Sequence, residues 1–196
     1  MTAKPNNHLL MTLRIKNMVC DRCLRSVQRV LEALGLTVET IELGRVEVRT
    51  WPETISRETV QQALEAEGFA LIDDPKATLA EQLKVLLINE VHHAHERPAH
   101  QNVSDFLSQK LGYDYTYLSQ LFSTQTGQTI ERFLISQRIE RAKALLQEGE
   151  LPIADIAFQL GYSSVPHFTN QFRKEVGKTP AQFRKEPTGR RTLDAV

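Results

Sequence analysis

The 196-residue chain has little cysteine: two residues, Cys20 and Cys23. A pair so close together cannot staple distant segments, so a disulfide-stabilised scaffold is excluded and the pair reads as thiols. No apolar run approaches the roughly 20 residues of a membrane-spanning helix. The opening MTAKPNNHLL lacks the basic, apolar and small-residue regions of a secretory signal. The expectation is a soluble, cytoplasmic protein without a membrane partner. No set of residues pairs a nucleophile with a base and an orienting group, and there is no glycine-rich phosphate loop, so no enzymatic activity is expected. Charge of one sign is not in excess either, with 24 Lys and Arg against 24 Asp and Glu.

That balance hides a late surplus. Residues 103–196 hold 12 basic against 10 acidic residues, and between Ser163 and Arg191 stand Arg173, Lys174, Lys178, Arg184, Lys185, Arg190 and Arg191 against only Glu175 and Glu186. A solvated helix face would explain such a cluster, and so would a polyanionic partner.

Hydrophobic periodicity divides the chain. Residues 9–16 alternate, with Leu13 and Ile15 on one face, as in a strand. From Cys23 the spacing of Leu24, Val27, Val30, Leu31 and Leu34 is helical, and Gly35 stops it. LTVETIEL and RVEVRT follow as strands joined at Gly44-Arg45. Ser56 caps a second helix carrying Val60, Ala63 and Leu64, and 69–72 forms a last strand. The order is βαββαβ, the split βαβ arrangement of ferredoxin-like domains. Asp73-Asp74-Pro75 reads as a linker, and Leu79, Leu83, Leu86, Leu87 and Val91 mark one side of an amphipathic connecting helix.

From Val103 on, the pattern is helical throughout and repeats. Leu107, Leu111-Gly112-Tyr113, Leu118, Phe122 and Gly127 answer Ile156, Leu160-Gly161-Tyr162, Phe168, Phe172 and Gly177, with an offset of 49 before the Gly-Tyr turn and 50 after it. Each copy is a helix, a tight turn and a second helix. In the second helices Leu118 and Phe122, or Phe168, Phe172 and Val176, point inward. Thr116, Ser119 and Gln120, or Pro166, His167, Thr169, Asn170 and Arg173, are left outside. Small and polar outward groups suit a major groove. Residues 130–148 read as one helix between the copies. The fold class expected is α+β: a ferredoxin-like domain over 1–74, a linker and connecting helix over 75–102, an all-α double helix-turn-helix over 103–186, and a basic tail over 187–196.

Two resemblances attach to these motifs. YTYLSQLFSTQTGQTIERFLISQRIERAKALL and IADIAFQLGYSSVPHFTNQFRKEVGKTPAQFRK, ending in Gly177, Thr179, Pro180, Phe183 and Arg184, resemble the DNA-binding domain of AraC/XylS-family transcription regulators. The resemblance implies double-stranded DNA as partner. It also implies base-facing roles for Thr116, Ser119 and Gln120, and for Val165, Pro166, His167 and Asn170. Arg173, Lys174 and Lys178 are expected beside phosphates, which position the protein but carry no sequence. Where that family commonly carries arginine, this chain has Gln120 and Asn170.

Met18-x-Cys20-x-x-Cys23, at the end of a strand and the start of a helix, with Gly68-Phe69 before the last strand, resembles heavy-metal-associated domains. Asp21 and Arg22 depart from the small residues usual between those cysteines. A helix N-terminus lowers thiol pKa values, and two converging thiolates suit Cu(I) or another soft ion better than four-coordinate zinc. Met18 reads as a core anchor and not a ligand. The alternatives are a thiol redox switch, or a domain that serves homodimerisation or protein contacts. The rival for the whole chain is a metallochaperone-like binding protein. The aromatic and proline around a thioredoxin-type CxxC are absent. His92, His93, His95 and His100 cluster near a helix end, where the dipole alone favours them. A metal role for His92 and His95, three apart, is the alternative.

Overall fold

The structure, a computed structural model, describes residues 10–92 and 101–186. It divides into two compact units, Met1–Val85 and Leu86–Val196. His93, His95, His100 and the tail over 187–196 lie outside the described residues.

The first unit runs β1 (Met11–Lys16), α1 (Asp21–Ala33), β2 (Thr37–Glu42), β3 (Arg45–Thr50), α2 (Arg57–Ala66) and β4 (Ala70–Leu71). The sheet order is β2-β3-β1-β4, and every neighbouring pair is antiparallel. Alternation builds the buried face: Leu13 and Ile15 of β1 join Val46 and Val48 of β3, with Leu13 opposite Val46. Val27 and Leu31 of α1 and Val60 and Leu64 of α2 complete that core. Gly44 takes the left-handed conformation that the β2–β3 turn demands, at φ +76°. The Ser56 hydroxyl accepts the Thr59 amide and starts α2.

Two boundaries differ from the sequence reading. The last strand is only two residues long, with Leu71 and Ala70 opposite Ile15 and Lys16 and the Ile72 amide donating to the Arg14 carbonyl just beyond. Asp73-Asp74-Pro75 is not a linker. It starts α3 (Pro75–His92): the Asp74 carboxylate accepts the amides of Lys76 and Ala77, and Pro75 occupies a first turn where no N–H is missed. Nor does α3 present a single apolar side. Ala80, Glu81, Leu83, Val85, Leu87 and Ile88 are all buried, which spreads burial around the helix, while Leu86 is only half-buried. The residues up to Val85 belong to the first unit and those from Leu86 to the second.

The second unit continues with α4 (Val103–Leu111), α5 (Tyr115–Thr126), α6 (Ile130–Glu148), α7 (Ile153–Gln159), α8 (Val165–Val176) and α9 (Pro180–Lys185). Phe122 meets Phe133 edge-on, with centroids 5.5 Å apart. Around α8, Phe168, Phe172 and Phe183 form a chain of edge contacts at 5.7 and 5.5 Å, all three fully buried. These tilted arrangements match the ring quadrupoles. Thr179 caps α9 through a reciprocal box with Gln182. The Arg184 guanidinium donates to the Leu151 carbonyl at 2.6 Å, so this arginine holds a loop. α6 is the central helix and is enclosed on most sides, including its polar residues. Glu140 and Lys143 pair at 2.8 Å, and buried Gln137 meets the His92 ring at 2.8 Å. His92 is thus engaged in packing α3 within this unit.

Candidate nucleic-acid interface and thiol pair

α4 with α5, and α7 with α8, are the two helix-turn-helix copies. Gly112 and Gly161 both take φ +74° in the turns. The second turn holds one residue more, and the cap shifts with it: the Asp114 carboxylate accepts the Thr116 amide at 2.7 Å, and the Ser164 hydroxyl accepts the His167 amide at 3.3 Å. Pro166 sits in the first turn of α8. Both helices anchor an apolar edge, Leu118, Leu121 and Phe122 in α5 and Phe168 and Phe172 in α8.

The outward faces carry most of the expected side chains. Thr116, Gln120, Pro166, His167, Asn170, Arg173 and Lys174 are exposed, and Ser119 is half-buried. Two residues are placed less freely. Val165 is half-buried and packs against the core of α6 to α9, and the Lys178 ammonium pairs with Glu186 at 3.3 Å. Sequence reasoning placed Tyr113 only in the repeated Gly-Tyr turn and gave Tyr117 no role; their rings stand exposed at the start of α5, 5.4 Å apart.

One ion pair ties α6 to α8. The Arg132 guanidinium donates twice to Glu175, at 2.5 and 2.8 Å, and the Glu175 side chain is 10% exposed. The hydrogen bonds from Arg132 hold the Glu175 carboxyl below its ordinary value, against a smaller opposing effect of burial. A depressed carboxyl contributes stability above its unfolded pKa, about 4.3, and loses it as pH falls through the folded value. Glu175→Gln should therefore lower thermal stability by about 1 kcal/mol at pH 7, modest because the guanidinium is half-exposed. The gap to wild type should close below about pH 4. Thermal melts at pH 7, 5 and 3.5 check this, and a constant gap would rule out the ion pair as its source.

In the first unit, Cys20 is the N-cap of α1 in extended backbone, and Cys23 lies on its first turn. Both are free and half-buried, with sulfurs 3.3 Å apart. That distance far exceeds the roughly 2.05 Å of a disulfide. Met18 is fully buried in the core beneath. The loop is pinned at its start: Asn17, in the left-handed region at φ +70°, donates its amide to buried Glu81 at 2.8 Å and its side-chain N–H to the Gly68 carbonyl at 3.0 Å. The expectation of a lowered thiol pKa fails at Cys23. Burial pushes this thiol up, the hydrogen bond with the Val19 backbone opposes the rise, and the Cys20 side chain adds to it. Asp21 and Arg22 are exposed. Among the described residues, no three His, Cys, Asp or Glu side chains converge on a possible metal position. Nor is any described helix long and apolar enough to cross a membrane.

A family profile described as a helix-turn-helix domain matches residues 107–186. The chain is 39% identical over 80 residues to the regulatory protein SoxS of Salmonella typhimurium, which covers 41% of this chain and 75% of that protein. It is 37% identical over 112 residues to the transcriptional activator RhaR of Salmonella schwarzengrund, covering 57% of this chain and 39% of RhaR. A solved regulator with an AraC-type DNA-binding domain, from Chromobacterium violaceum, aligns over 58% of this chain and 96% of its own at 26% identity, with a TM-score of 0.45. By its C-terminal part the chain belongs to the AraC-type family of helix-turn-helix transcription regulators, DNA-binding proteins and not enzymes.

Proposed function

We propose that the chain reads DNA with α5 and α8 together. Thr116, Ser119 and Gln120, and Val165, Pro166, His167 and Asn170, face bases, while Arg173, Lys174 and Lys178 neutralise phosphates. The observation that carries this reading is the doubled architecture: two helices with capped first turns, apolar inner edges and polar outer faces, joined by the 19-residue α6. At 1.5 Å per residue α6 is about 28 Å long, close to the 34–36 Å that separates successive major grooves on one side of a duplex. Among the cations, Arg173 and Lys174 are exposed and Lys178 is shared with Glu186, so the first two carry most of the ionic hold. Each phosphate contact adds about 0.9 to the slope of log affinity against log salt. Arg173→Ala with Lys174→Ala should lower that slope by close to 2 and weaken binding to all duplexes alike. A double variant with the wild-type slope would show that neither residue touches phosphate.

For the first unit we propose a ferredoxin-like, heavy-metal-associated type of module that holds a soft ion such as Cu(I) between Cys20 and Cys23, in a protein working in the cytoplasm. The βαββαβ order, its sheet order and the adjacent sulfurs support this. Two sulfurs each about 2.3 Å from one ion stand about 4.6 Å apart when the ion is linear between them. From 3.3 Å the thiols need to spread by about 1.3 Å, a rotamer adjustment at the half-exposed Cys20 and Cys23. The lack of a third converging ligand among the described residues suits low coordination and not structural zinc. Titration of the reduced full chain with Cu(I) should protect both thiols from alkylation and raise the thermal midpoint. Cys20→Ser with Cys23→Ser should abolish both effects while leaving DNA affinity in metal-free buffer unchanged. Unprotected thiols in the wild type would leave the module a redox switch or a homodimerisation surface. A change of mass with protein concentration, or a disulfide formed under mild oxidant, tells those two apart.

A further inference from the structure

The two recognition helices share a build but not a charge. Where α8 has Arg173 and Lys174, α5 has Ser123 and Thr124 at the equivalent positions, and Gln128 stands for Lys178. Across Tyr115–Thr126 there is no charged side chain at all. The nearby Lys110 is drawn over the Phe106 ring at 5.8 Å. α5 therefore lacks the means by which α8 holds phosphate, and if it reads DNA it does so with neutral groups.

What α5 has instead is an exposed aromatic pair. The five large apolar or aromatic side chains exposed among the described residues are Leu10, Met11, Tyr113, Tyr117 and Phe158. Two of them, Tyr113 at 48% and Tyr117 at 42%, share this one turn. The repeat gives the pair a counterpart. Tyr117 corresponds to His167, and Tyr113 to Tyr162. Their rings meet at the same distance, 5.4 Å between centroids in the first copy and 5.3 Å in the second, tilted by 33° in the first and edge-on at 81° in the second. In both copies the tyrosine of the Gly-Tyr turn thus braces an aromatic residue on the outward first turn of the recognition helix. In the second copy the brace is buried, with Tyr162 only 5% exposed. In the first copy both rings stay outside a core already filled by Leu118, Leu121 and Phe122.

We propose that Tyr117, braced by Tyr113, is a specificity-determining DNA contact of α5, and that its ring takes the C5-methyl of a thymine in the major groove. The methyl is the one apolar feature a base pair shows there, and apolar side chains read it. A phenol ring offers such a surface with no charge to be neutralised, which fits a helix without cations. Bracing lowers the rotamer entropy lost when the ring docks. This inference rests on α5 being a reader, and the test separates the two.

The full chain is first used to select duplexes from a random pool, alongside Gln120→Arg. The base position at which the two selections differ marks the half-site under α5. Each thymine in that half-site is then replaced in turn by uracil, which removes only the methyl. Wild type should lose affinity at one position, by about fourfold for one methyl group. Tyr117→Phe should keep that loss and Tyr117→Ala should be indifferent to it, with the salt slope of both equal to wild type because no charge changes. If wild type feels no thymine-to-uracil exchange under α5, or if Tyr117→Ala feels it as strongly, the proposal is overturned. Should Gln120→Arg change no position and no thymine-to-uracil exchange anywhere in the selected site distinguish Tyr117→Ala from wild type, the reading of α5 as a base reader falls first. Unaltered thermal melting of the Tyr117 variants establishes that the fold is intact.

Discussion

Replacing Phe172 with alanine should cost the second unit about 3–5 kcal/mol, the usual range for emptying a fully buried aromatic site. Phe172 is 0% exposed and touches Phe168 and Phe183 edge-on, so its loss opens a cavity between those two rings. Collapse is opposed from both directions, by the Thr179–Gln182 capping box that fixes α9 and by the Arg132–Glu175 pair that fixes α8. The penalty is a large share of the 5–15 kcal/mol that holds a typical domain together. Urea unfolding should show a midpoint far below that of wild type, with specific DNA binding lost at 37 °C. Phe172→Leu, which keeps most of the volume, should recover most of both. A loss below about 1 kcal/mol for the alanine variant would mean that the chain of rings is not the core of this unit.

Exchanging Gln120 or Asn170 for arginine should change which base is preferred, by about 1–3 kcal/mol per contact. Gln and Asn make a two-pronged hydrogen bond with adenine N6 and N7, while arginine makes its own with guanine O6 and N7. Both residues are exposed on the outward faces of capped helices, one in each copy, so the exchange needs no repacking. Selection from random duplexes should show adenine giving way to guanine at one position for Gln120→Arg and at another for Asn170→Arg. The added charge should also strengthen binding to every duplex at low salt, an effect that selection cancels because all competitors share it. Identical preferences in wild type and both variants would show that these amides meet only phosphate or water. Asn170, with the shorter side chain, should give the smaller shift.

The sequence made some of this legible for reasons that lie in its periodicity. Leu13 with Ile15, and Val46 with Val48, alternate because each strand has one buried face, and that alternation marks β1 and β3. α6 is bounded by a threonine cap and a left-handed glycine, Thr129 and Gly149, and its limits follow from those two residues. The burial of α3 is not confined to one face, which its leucine spacing does not show. Its run of leucines suggests an amphipathic stripe, yet Glu81 is as buried as its apolar neighbours because it accepts the Asn17 amide. Asp-Asp-Pro can open a helix or end a domain, and only the hydrogen bonds of Asp74 decide between them. The basic cluster is placed less freely than its count suggests, for a similar reason. Charge is visible in a sequence, but the partners that consume it, Glu186 for Lys178 and the Leu151 carbonyl for Arg184, are brought close only by folding. The Cys23 thiol shows the same limit, since the burial that pushes it up is set by packing.

The enclosure of α6 has a consequence for how such a protein can change over generations. A helix buried on most sides tolerates neither a gained nor a lost residue: one insertion turns everything after it by about 100° and advances it by about 1.5 Å. Gln137, Glu140 and Lys143 would swing out of their pairings, and α8 would turn away from its present orientation relative to α5. The outward residues of α5 and α8 carry no such restriction and can be exchanged one codon at a time. If both helices read DNA, the lineage is free to revise the letters it recognises while the spacing between the two words stays fixed.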